Sequence, residues 1–147
     1  MTGTATQHNA AALAEEGRTQ ALGVGASENS TRSAVGESLH AARANLTQPG
    51  CYLIYEDFRG EPMVCAVESK TVRVGRSLNA DIRFEDATVS RRHALIIPQG
   101  DEVRVVDDRS LNGVFLGGER VFSSVLADGD ELAVGRHRIL FFRLPSP

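Results

Sequence analysis

From Cys51 onward the apolar residues come in short runs, at 51–55, 63–67, 72–74, 82–84, 94–97, 103–106, 114–116, 119–122, 131–134 and 138–142. Several alternate, as in Val72-Arg73-Val74 and Ile82-Arg83-Phe84, and Gly, Pro, Asn or Asp separate them. Period-two runs of this length, bounded by turn residues, predict strands. Their spacing leaves no room for crossover helices. The prediction is an all-β fold, a two-sheet antiparallel sandwich of about ten or eleven short strands.

Upstream of Pro49-Gly50 that pattern is lost. Residues 1–47 contain no aromatic side chain, and their large apolar residues (Leu13, Leu22, Val24, Val35, Leu39 and Leu46) are widely spaced. So few apolar groups do not offset the ordering entropy of a packed unit, so 1–47 is expected to be a disordered tail and 48–147 the folded domain. Within the tail, Leu39, Ala42 and Leu46 share one helical face, which permits a short helix over 37–46 if it docks on the domain.

Composition narrows the function. The 147 residues carry 16 Lys+Arg against 19 Asp+Glu, a formal charge of −3, which disfavours a general nucleic-acid binder. All the basic residues but Lys70 are arginine, the better residue for bidentate phosphate recognition. Cys51 and Cys65 have no CxxC spacing and read as small residues in neighbouring strands, with no metal or cofactor expected. The first residues lack a charged segment followed by an apolar core, and no apolar stretch approaches a membrane span. A soluble, cytoplasmic protein is expected, with neither nucleic acid nor membrane as partner.

Three interstrand segments are richer in polar chemistry than connectors need: 75–81, 86–93 and 107–113. They supply guanidinium groups (Arg76, Arg91, Arg92, Arg109), the Ser90 hydroxyl and the Asn112 amide. Charged donors beside a hydroxyl suit a dianionic tetrahedral group. An amide offers a donor and an acceptor together, which matches an extended peptide backbone. The combination points to a phosphorylated polypeptide. The glycines at 75, 113, 129 and 135 read as turn residues.

At these positions the chain resembles the forkhead-associated (FHA) family. Gly75-Arg76, Ser90-Arg91-Arg92-His93 and Ser110-Leu111-Asn112-Gly113 reproduce in order the three-part signature GR, SxxH and (S/T)xNG. The stretch 126–131 and Val134-Gly135 match later strands of that fold, so the resemblance covers about residues 51–144. It implies a small bacterial-type single-FHA protein that is not an enzyme. Such a protein binds phosphothreonine-containing proteins, among them a Ser/Thr kinase or its substrates, and couples kinase activity to protein association. It also implies roles. Arg76 bonds the phosphate, Ser90 donates its hydroxyl to it and Arg91 adds a second guanidinium. Asn112 grips the peptide main chain, Leu111 stands against the phosphothreonine methyl where the family often has Thr, and Asn79 contacts residues beyond. Gly75, His93, Ser110 and Gly113 support the site. Gly117-Gly118 replaces the Asn-Gly the family often carries there.

Two other readings are weaker. Ser90, His93 and Asp107 include the residue types of a hydrolase triad, yet no GxSxG elbow accompanies them. A single-strand binder needs aromatic stacking residues beside its arginines, and the three segments contain none. Within the tail, Thr19 follows Glu15 and Glu16 and has Leu22 three positions on, the place where FHA-like domains tend to read their ligand, so the resemblance makes Thr19 a candidate phosphosite for self-binding.

Overall fold

The computed structural model describes residues 8–9 and 28–146, with side chains from Gly36 onward. Helix α1 spans Glu28–Arg43. The strands in chain order are β1 (His8–Asn9), β2 (Gly50–Glu56), β3 (Pro62–Val67), β4 (Val72–Gly75), β5 (Ile82–Arg83) and β6 (Ala94–Gln99). They continue with β7 (Glu102–Asp107), β8 (Val114–Leu116), β9 (Glu119–Val121), β10 (Ser123–Val125), β11 (Glu131–Val134) and β12 (His137–Leu144). They form two sheets, ordered β1-β3-β2-β12-β11-β8-β9 and β10-β7-β6-β4-β5.

Strand alternation builds the space between the sheets. Leu53 and Tyr55 of β2, Ile139 and Phe141 of β12 and Leu132 and Val134 of β11 meet Val72 and Val74 of β4, Ile96 of β6 and Val105 of β7. Cys65 lies in the same core and Cys51 packs against it, neither of them joined in a disulfide.

The runs 51–55 and 138–142 are continuous because β2 and β12 are buried on both faces. Register places Ile54 opposite Leu140 and Val64, and these residues with Phe142 face away from the inter-sheet core. Leu39 and Ala42 of α1 cover them, forming a second apolar cluster joined by Leu46 and Tyr52. The Arg43 guanidinium lies 4.5 Å from the Phe142 ring centroid and pairs with Asp128 at 3.2 Å.

Two expectations are revised here. The helix runs 28–43 where 37–46 was expected, and residues up to Leu46 close in tight turns through Asn45 N–H to Ala42 O and Leu46 N–H to Arg43 O. Docking of Leu39 and Ala42 offsets the nucleation cost, after which each further residue adds a hydrogen bond. The packed unit therefore begins upstream of residue 48, while 1–7 and 10–27 lie outside the described residues. The sheets are antiparallel at every ladder except β4–β5, which is parallel, with Val74 opposite Ile82 and Gly75 opposite Arg83. Asp81 closes that short crossover, its carboxylate accepting from Arg73 N–H at 2.9 Å.

The ladders direct the ends of β4 and β7 and the starts of β6 and β8 to one end of the sandwich. The segments 76–81, 84–93 and 108–113 meet there, with the turn at Gly135-Arg136 beside Thr88.

Candidate functional site

The close approach of two loops dictates the residue at position 75. A β-carbon on Gly75 would overlap the carbonyl oxygen of Arg91, so only glycine fits. Unlike Gly113, Gly129 and Gly135, it has no positive φ; its requirement is proximity and not turn geometry. Arg76 N–H then donates to Ser90 O (3.0 Å) and Ser77 N–H to Arg91 O (3.2 Å), locking loop 76–81 against loop 84–93. The Arg76 side chain is fixed by Nε–H donating to Val89 O at 3.0 Å.

The second lock is His93, which is wholly buried. Its Nδ1 accepts from Ser90 N–H at 3.0 Å, which assigns the proton to Nε2, and Nε2–H donates to Gly113 O at 2.8 Å. One imidazole thus ties loop 84–93 to loop 108–113. Ser90 Oγ accepts from Leu111 N–H at 2.9 Å, which leaves the hydroxyl proton for an incoming anion. Ser110 is held at both atoms by Asp107, its N–H by Oδ1 and its hydroxyl by Oδ2, while its Oγ accepts from Gly113 N–H. Asn112 Nδ2 donates to Thr88 O at 2.9 Å, and its remaining amide groups are exposed.

A cleft of about 820 Å³ opens beside this frame, with Arg76, Asn79, Arg83 and Arg91 in its lining. Ser90, Leu111 and Asn112 do not line this cleft. Leu111 is 84% exposed, an apolar surface with no cover. The structure therefore brings every expected site residue to one end of the sandwich, except Thr19, which lies outside the described residues. Arg92 is committed elsewhere, in a two-point pair with Asp108 at 2.9 and 3.0 Å. Arg109 adopts a left-handed φ of 64° at the turn before Ser110.

Two supporting residues were not foreseen. Thr88 holds Asn112 through its carbonyl and the β11–β12 turn through its hydroxyl, which accepts from Arg136 N–H at 3.1 Å. Asp86 receives the Thr88 hydroxyl and N–H, both at 2.7 Å, and pairs with His137 at 2.8 Å. Those hydrogen bonds, from the Thr88 side chain first, then its backbone and then His137, hold the Asp86 carboxyl down at about 2. The signal for both was Asp86-Ala87-Thr88 itself, an Asx-type spacing ahead of the Ser90 segment. Among the described residues no cluster of three or more His, Cys, Asp or Glu is placed to hold a metal ion, and no helix is long and apolar enough to cross a membrane.

The end loops of this β-sandwich thus present guanidinium, hydroxyl and amide groups together. Residues 72–135 match the FHA domain family. It is 44% identical over 80 residues to the glycogen accumulation regulator GarA of Mycolicibacterium smegmatis, a match covering 54% of this chain and 51% of that protein. Over 75 residues it is 44% identical to the oxoglutarate dehydrogenase inhibitor of Corynebacterium jeikeium, covering 51% and 52%. The chain thus spans about half the length of the curated relatives it matches. A solved FHA domain with phosphothreonine-dependent interactions superposes with a TM-score of 0.59 at 29% identity, covering 65% of this chain and 98% of that one.

Proposed function

We propose that this domain is a non-catalytic signalling module that binds phosphothreonine-containing segments of other proteins and so couples Ser/Thr kinase activity to protein association. The observation that carries this reading is the meeting of Arg76, Ser90, Arg91 and Asn112 at one end of the sandwich, each on a segment fixed by main-chain hydrogen bonds. Arg76 and the Ser90 hydroxyl bond the phosphate, Arg91 adds the second positive charge, and Asn112 pairs with the ligand main chain. Asn79 contacts ligand residues beyond the phosphate, and Leu111 packs the threonine methyl. Gly75, His93, Ser110 and Gly113 hold the loops. A regulatory role through association, in the cytoplasm, agrees with relatives named as a regulator and an enzyme inhibitor.

The partner is a phosphorylated protein, a kinase or a kinase substrate. The chain's own Thr19, once phosphorylated, is a second ligand of the same chemistry, because a tethered segment reaches an effective concentration near millimolar.

Calorimetry with matched phosphothreonine and unmodified peptides tests the reading. Wild type binds only the phosphopeptide, and Arg76→Ala weakens it roughly ten- to a hundredfold, since a charge-assisted hydrogen bond contributes about 1.5–3 kcal/mol. Undiminished affinity in Arg76→Ala removes the assignment.

A further inference from the structure

Arg83 stands in the same cleft as Arg76 and Arg91 but has no part in the roles above. The parallel β4–β5 ladder sets it opposite Gly75, and its Nε–H donates to the carbonyl of Arg76 at 3.1 Å. Its guanidinium is therefore anchored to the backbone of the residue that bonds the phosphate. A phosphate dianion is matched by two guanidinium groups, so the third leaves the cleft with cationic capacity to spare.

We propose that Arg83 is a specificity-determining residue that receives an acidic side chain flanking the phosphothreonine. The inference rests on the phosphothreonine reading. Two carboxylates also line the cleft, Glu85 and Asp86. Asp86 is committed to Thr88 and His137. Glu85 pairs with Arg83 at 2.8 Å from a largely exposed position, so in the free protein it occupies the place that a ligand carboxylate takes over. The planar guanidinium, already oriented through Nε, presents its remaining N–H groups in the fork that suits a carboxylate.

The test is calorimetry on the full chain with phosphothreonine peptides. An all-alanine parent is compared with peptides carrying one Asp at each flanking position in turn. At one position Asp tightens binding roughly three- to fivefold, the size expected of a partly exposed ion pair, and added salt shrinks the gain. Arg83→Gln removes that gain while binding the parent as wild type does, and Glu85→Gln, which frees the guanidinium, enlarges it. The proposal is overturned if no position of the wild type favours Asp, or if Arg83→Gln keeps the preference. It is also overturned if Arg83→Gln weakens parent and Asp peptides alike, which would put Arg83 on the phosphate itself. If neither parent nor Asp peptides bind at all, the phosphothreonine reading has failed, and this inference with it.

Discussion

The imidazole of His93 donates from Nε2 to the carbonyl of Gly113 across 20 residues of sequence, at 2.8 Å and out of contact with water. Because Nδ1 accepts from Ser90 N–H, the ring spans the two loops that carry the Ser90 hydroxyl and the Asn112 amide. Replacing His93 with Ala leaves the part-buried Ser90 N–H and the buried Gly113 carbonyl without their partner and opens a cavity. The expected cost is about 2–4 kcal/mol in denaturant unfolding, with weaker phosphopeptide binding although His93 does not reach the ligand.

Gly75→Ala is expected to be as damaging as its added methyl is small. The new β-carbon overlaps backbone, the Arg91 carbonyl, which has no rotamer to yield. Loops 76–81 and 84–93 must part, and the bonds Arg76 N–H to Ser90 O and Ser77 N–H to Arg91 O lengthen or break. Overpacking of this kind costs about 1–3 kcal/mol. A phosphopeptide titration should show reduced affinity with an otherwise native far-UV spectrum.

Much of this was legible in the chain. The ten runs read as strands are strands, because each alternates or is bounded by turn residues. β10 was missed because Ser123-Ser124-Val125 has neither alternation nor bulk. The runs 51–55 and 138–142 carried a further message, since a strand apolar on both faces needs cover on both. The cover is α1, whose docking residues Leu39 and Ala42 read as tail because a lone short helix is marginal. The site motif was readable residue by residue. The contribution of Arg83 to the cleft was not, because it depends on the parallel pairing of β4 with β5, which local pattern does not encode.

Asp86 links pH to stability through a depressed carboxyl. Its folded value lies at about 2, below the ordinary carboxylate value, so its stabilising contribution is complete above about pH 4 and is lost as pH falls toward 2. Asp86→Asn lacks that term at every pH. Acid unfolding of the two proteins should therefore show a stability difference at pH 5 that narrows steadily below about pH 4.

The helix and the site are expected to be separable. α1 lies on the outer face of the first sheet, where Leu39 and Ala42 pack on Ile54, Val64, Leu140 and Phe142, while the site occupies the loop end of the sandwich. Leu39→Ala removes the largest buried side chain among the described residues of the helix. Alanine is at least as good a helix former as leucine, so any loss reports docking and not propensity. Core Leu→Ala changes cost about 2–5 kcal/mol, less than the total stability of most domains of this size. The variant should unfold at clearly lower denaturant yet bind a phosphothreonine peptide with wild-type affinity, because among the described residues no hydrogen bond of the Arg76, Ser90 or Asn112 frame involves α1. Should affinity fall together with stability, the helix would be holding the sheet in the geometry the loops require.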